Sequence, residues 1–167
     1  MDEPVALGGD DPGSVAASVL ELTYGECIAL LQVGEVGRIA VFADPFPVVL
    51  PVNYRLVQPA DAPSSEPGHA WIAIRTRPGN VIDRAPRFVA FEIDGIDALH
   101  RVGWSVLVSG TLERLDPDAA GVRERFDPEP WVDDERHAWL AVHPVHVTGR
   151  RIPVSPGEWA FNSDSYL

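Results

Sequence analysis

The chain has 167 residues, of which 46% are apolar, a length and composition that suit one globular domain and exclude a disordered chain. Its formal net charge of −12 disfavours nucleic acid and anionic membranes as partners, because phosphate binding needs a basic footprint. All 13 basic residues are arginine, which excludes a lysine Schiff base and a P-loop lysine, so any anion site must use arginine, hydroxyls and backbone N–H groups.

The first regular element opens at Thr23-Tyr24-Gly25-Glu26, a capping box in which the Thr23 hydroxyl and the Glu26 carboxylate each accept from the other's backbone N–H. It predicts a helix over 23–33, with Cys27, Leu30 and Leu31 on one face and Gly34 as the stop. The period then changes to that of strands. Gly37–Phe42 and Val48–Leu56 read as a hairpin broken at Asp44-Pro45, with Pro51 making the second strand irregular or placing it at an edge there. A proline-rich loop, 58–68, leads to a strand at 70–76. Pro78 predicts a short helix over 79–85. Strands follow at 87–94 and 103–115, then a helix over 118–126, an acidic loop at 127–135 and a last strand at 141–152. Short strands at regular spacing with few helices predict a small, mainly β barrel.

No run approaches the roughly 20 apolar residues that cross a bilayer. The acidic N-terminal stretch is unlike a basic signal peptide. The single cysteine, Cys27, permits no intrachain disulfide and sits in an apolar run that reads as a buried structural thiol. Together these predict a cytoplasmic protein. Residues 1–20 are expected to be a flexible segment, 21–155 the folded domain and 156–167 a tail.

The chemistry concentrates at Arg75-Thr76-Arg77-Pro78-Gly79-Asn80, where a strand ends in two arginines and a hydroxyl and a helix is expected to start. Arginine supplies bidentate donors suited to phosphate, and Gly79 lets a ligand approach the backbone. On residues alone the segment reads equally as a phosphate cradle or as an ordinary strand-to-helix connection with solvated arginines. His143 and His146 fall on opposite faces of a strand, so they do not share a metal ion, and no cluster has zinc spacing.

The ordered set of Glu26–Leu31, Val36–Ala40, Pro51–Tyr54, Ile74–Asn80, Phe88–Asp94, Gly103–Gly110 and Thr148–Arg151 resembles the FMN-binding split-barrel family of pyridoxamine 5′-phosphate oxidase, in its actinobacterial branch. The likeness runs from about residue 20 to 153. It implies a split β-barrel with short flanking helices over 21–155, and a homodimer with ligand sites at the interface. It implies that Arg75, Thr76, Arg77 and Asn80 bind the FMN phosphate, that Pro51, Val52, Asn53 and Tyr54 run beside the flavin ring, and that Trp104 and Ser105 reach flavin at or across the dimer interface. Position 80 is commonly lysine in the family. The neutral amide of Asn80 cannot replace that charge, so either Arg77 or Arg84 compensates, or FMN affinity is weak, or the ligand differs. The implied function is an FMN-dependent oxidoreductase acting on a small molecule. The alternatives are a non-catalytic protein that sequesters flavin or haem, and a reductase using the deazaflavin F420. Trp159 reads either as a closure of the pocket or as packing of the tail. No residue stands out as a general acid or base.

Overall fold

The computed structural model describes residues 18–58, 69–84, 88–118, 121–129 and 137–153. Trp159, the acidic run at 133–135, residues 1–17 of the N-terminal segment and the tail at 156–167 lie outside the described residues. The elements in chain order are β1 (Leu20–Leu22), α1 (Tyr24–Val33), β2 (Val36–Ala43), β3 (Phe46–Val57), β4 (Trp71–Thr76), β5 (Phe88–Asp97), β6 (Val102–Arg114), α2 (Val122–Phe126) and β7 (Ala138–Ile152). No described helix is long and apolar enough to cross a membrane.

The strands form one antiparallel sheet in the order β1-β7-β4-β3-β2-β5-β6, which closes on itself where β6 pairs with β7. One edge of the long strand β7 is bonded to β6 from Leu140 to Ile152. Its other edge is shared in tandem, by β4 at 138–142 and by β1 at 149–151. Between those two ladders β7 pairs with β6 alone. Helix α1 packs on β7, β3 and β6 and turns Cys27, Ile28 and Leu31 into the core. Gly149 lets α1 come this close, since a Cβ there would lie 2.6 Å from Cys27 Sγ. Burial pushes the Cys27 thiol upward in pKa, so it stays a neutral packing group.

The start of α1 follows the capping box: Thr23 N–H donates to Glu26 Oε2 at 2.8 Å and Glu26 N–H donates to Thr23 Oγ1 at 3.3 Å. The Thr23 N–H, together with the Thr23 hydroxyl that also donates to Glu26 Oε2 at 2.8 Å, holds the Glu26 carboxyl below its ordinary range. We expect Thr23→Ala to cost about 1 kcal/mol in denaturant unfolding, the usual worth of such a cap. The end of the helix follows a different rule from the one expected. Gly34 is extended, at φ −75°, and not left-handed. Glycine is required there because a Cβ would lie 2.1 Å from the Tyr54 hydroxyl. Tyr54 is fully buried, donates to the Leu31 carbonyl at 2.9 Å and meets Phe91 edge to face at 4.9 Å. A tyrosine from β3 thus satisfies one of the orphan carbonyls that end every helix.

Two further expectations change. The stretch after Pro78 is a pair of turns and not a helix: Asn80 N–H donates to Arg77 O, Arg84 N–H donates to Asn80 O, and Gly79 takes φ +76°. A side chain competes here with the helical ladder, because Asp83 Oδ2 accepts the Gly79 N–H at 2.6 Å. The helix expected at 118–126 is a single turn at 122–126, entered through Gly121 at φ +60°.

Candidate functional site

Strands β3 and β4 are bonded from Val57–Trp71 to Tyr54–Ile74 and then part. A cleft of about 330 Å³ opens where they diverge. Leu50, Pro51 and Val52 form one wall; Arg75, Thr76 and Arg77 form the other; Asn80 and Ile82 close its end. Six of the ten residues proposed from sequence therefore meet in one place: Pro51, Val52, Arg75, Thr76, Arg77 and Asn80.

The polar side chains of this cleft are mutually braced. Thr76 is the buried polar residue of the described core, and the Asn80 amide donates to its hydroxyl. Asn80 Oδ1 accepts the Asp83 N–H at 2.9 Å. Asn80 therefore holds the end of β4 to the following turn, a role that a lysine could not fill because it has no acceptor. Asp83, whose side chain is 1% exposed, also pairs with Arg114 at 2.6 Å. Its Oδ1 is buried without a hydrogen-bond partner among the described residues. The Arg75 guanidinium reaches both oxygens of Asp127, at 3.0 and 3.1 Å, and stacks over Trp139 with 5.4 Å to the ring centroid. It is both a wall of the cleft and a tie to the segment after α2.

The other four proposed residues lie elsewhere within the chain. Tyr54 turns its side chain into the core, and burial raises its phenol well above the ordinary range. Asn53, half-buried, pairs with Val36 in the hairpin register and lines none of the cleft. Trp104 lines a separate hollow of about 550 Å³, walled also by Gly95, Gly103, Arg151 and Ile152. The indole packs so closely on Gly95 that a Cβ there would lie 2.6 Å from Trp104 Nε1. Ser105 is bonded in register between Asp94 and Arg150. Sequence reasoning missed Leu50 and Ile82 as walls, and Asp83 and Asp127 as the carboxylates that organise the site. Asp83 carried a weak signal, four residues after a glycine that needs a turn partner. Asp127 lies 52 residues from Arg75 and carried none.

The donor set suits a phosphate-bearing ligand: guanidinium groups on the wall and a threonine hydroxyl that can still donate its proton. No carboxylate, histidine or cysteine of the described residues lines the cleft. Among the described residues, no group of three or more His, Cys, Asp or Glu side chains could hold a metal ion.

Known proteins share the fold and part of the sequence. An uncharacterized protein of Mycobacterium tuberculosis is 32% identical over 155 residues, covering 84% of this chain and 94% of the relative. The structure of an FAD-binding protein of Mycobacterium smegmatis is 28% identical, with a TM-score of 0.57 over 81% of this chain and 100% of that one. An FAD-binding protein of Mesorhizobium loti is 26% identical, with a TM-score of 0.58 over 80% and 96%. The sequence profile of the family described as pyridoxamine 5′-phosphate oxidase matches residues 23–151, so this split-barrel chain belongs to that family.

Proposed function

We propose that the chain holds a flavin in the β3–β4 cleft and is an oxidoreductase acting on a small molecule. The observation that carries this is the meeting of Leu50–Val52 with Arg75-Thr76-Arg77 and Asn80 around one cleft. Arg77 and the Thr76 hydroxyl would hold the flavin phosphate, and the β3 backbone would lie along the ring. FMN is the flavin that the family likeness implies, and FAD is the one bound by the two relatives named above. When bound, the flavin supplies the redox chemistry, and the chain supplies binding, orientation and exclusion of water.

Trp104 and Ser105 belong to this site only through a second copy, because within one chain Trp104 lines a different hollow. We therefore propose a twofold homodimer in which each Trp104 faces the partner's ligand. Light scattering is expected to give twice the chain mass of 18.2 kDa; a monomer at micromolar concentration would reject the dimer.

One observation favours a second reading, a flavin carrier without turnover: among the described residues no carboxyl, imidazole or thiol lines the cleft. The two are separated by mixing the flavin-loaded protein with NADPH or NADH in the absence of oxygen. Bleaching of the visible flavin bands within seconds to minutes supports the oxidoreductase. Bands that persist while free flavin under the same conditions is reduced by dithionite support the carrier.

A further inference from the structure

The polar end of the cleft depends on a side chain that lies outside it. Arg114, the last residue of β6, does not line the cleft. Leu140 of β7 pairs with Ile74 of β4 on one side and with Arg114 on the other. The end of β6 therefore stands two strand spacings, about 10 Å, from the end of β4. From there the Arg114 guanidinium donates to Asp83 Oδ2 at 2.6 Å and joins β6 to the turn that follows β4.

We propose that Arg114 is a positioning residue for the phosphate end of the cleft: it holds, and neutralises, the buried carboxylate that sets the turn presenting the phosphate donors. The proposal rests on the flavin reading above. The path from Arg114 to the cleft is continuous. Asp83 Oδ2, which takes the Arg114 bond, also accepts the Gly79 N–H at 2.6 Å. The Asp83 N–H donates to Asn80 Oδ1 at 2.9 Å, and the Asn80 amide donates to the Thr76 hydroxyl. Thr76 and Asn80 both line the cleft, with Arg77 between them in sequence. Arg114 thus acts on the cleft through Asp83 and the turn.

An exposed ion pair ordinarily contributes little, and the Arg114 side chain is itself 68% exposed. Its partner changes that expectation. The Asp83 side chain is 1% exposed, so its carboxylate has lost its hydration. Its Oδ1 has no hydrogen-bond partner among the described residues, so the compensation falls on Oδ2. Of the two donors on Oδ2, a backbone N–H and a guanidinium, only Arg114 brings a positive charge. Removing it leaves a buried anion one residue from Ile82 and three from Asn80, both on the cleft. That anion either turns outward to water and releases the Gly79 N–H, or stays and repels a phosphate in the cleft. Both responses weaken the hold on a phosphate and spare the part of a ligand that lies along β3.

The test is a fluorescence titration of the full-length, flavin-free protein with FMN and with riboflavin, which has no phosphate, for the wild type, Arg114→Ala and Arg114→Lys. We expect Arg114→Ala to lose about five- to tenfold in FMN affinity while riboflavin affinity stays within about twofold. Arg114→Lys should recover most of the FMN affinity, because the bond to Asp83 uses a single guanidinium nitrogen and an ammonium can replace it. Equal FMN affinity of wild type and Arg114→Ala overturns the inference. So does an equal loss of FMN and riboflavin, or a loss of FMN affinity that lysine leaves unrepaired. In each of these cases the wild type still binds flavin, and the flavin site stands. Failure of the wild type to bind either ligand removes the flavin reading, and the inference with it.

Discussion

Arg77→Ala is expected to lower the affinity for FMN or FAD by about ten- to a hundredfold, the worth of one charge-assisted hydrogen-bonded contact. Riboflavin, which has no phosphate, should bind wild type and variant within about twofold, since nothing it presents needs the guanidinium. The prediction falls on Arg77 because it lines the cleft beside Thr76 and Asn80 and carries a guanidinium suited to phosphate. Arg75 is held by Asp127 and stacked on Trp139. The Asn80 amide is spent between Thr76 and Asp83. A fluorescence titration with the three ligands reads both halves. Equal affinity of wild type and Arg77→Ala for FMN would place the phosphate elsewhere.

Tyr54→Ala is expected to destabilise the fold by about 3–5 kcal/mol, the range for deleting a large buried aromatic side chain. The residue is fully buried against Phe91, and its hydroxyl ends α1 by donating to Leu31 O. Tyr54→Phe keeps the ring and loses only the hydroxyl, so its cost should be about 1–2 kcal/mol. Urea unfolding followed by circular dichroism measures both. A Tyr54→Ala loss below about 1 kcal/mol would mean that the site relaxes around the gap and that α1 does not depend on this strand. Because Tyr54 stands where β3 and β4 begin to part, the alanine variant should also loosen the cleft.

The barrel was legible because its strands announce themselves. Runs such as Trp71–Thr76 and Phe88–Asp94 carry β-branched and aromatic residues between breakers, and the capping box at Thr23 marks the helix to within a residue. β1 was not legible: three residues pair with the far end of β7, from Leu20 to Arg151, and no local period records such a contact. The helix expected after Pro78 failed for a local reason of another kind. Proline and glycine suggested a helix start, but the Asp83 carboxylate takes the Gly79 N–H and closes a turn in its place.

At the cleft, Pro51–Val52 and Arg75–Asn80, both singled out in the sequence, come together because β3 and β4 are neighbours in the sheet. The sequence could not show how the walls are braced. Arg75 reads as a solvated or phosphate-binding cation until Asp127 is seen beside it. Asn80 reads as a lost lysine until its amide is seen joining Thr76 to Asp83. Both are tertiary facts, fixed by the approach of segments remote from each other or by a turn whose geometry depends on them.

The most direct test of the flavin site is the visible absorbance of the purified full-length chain after incubation with FAD or FMN and desalting. The account predicts that the two oxidised-flavin bands remain with at least one of the two ligands, at about one flavin per chain, as two equivalent sites in a dimer require. A folded protein from which both flavins wash out completely would contradict it.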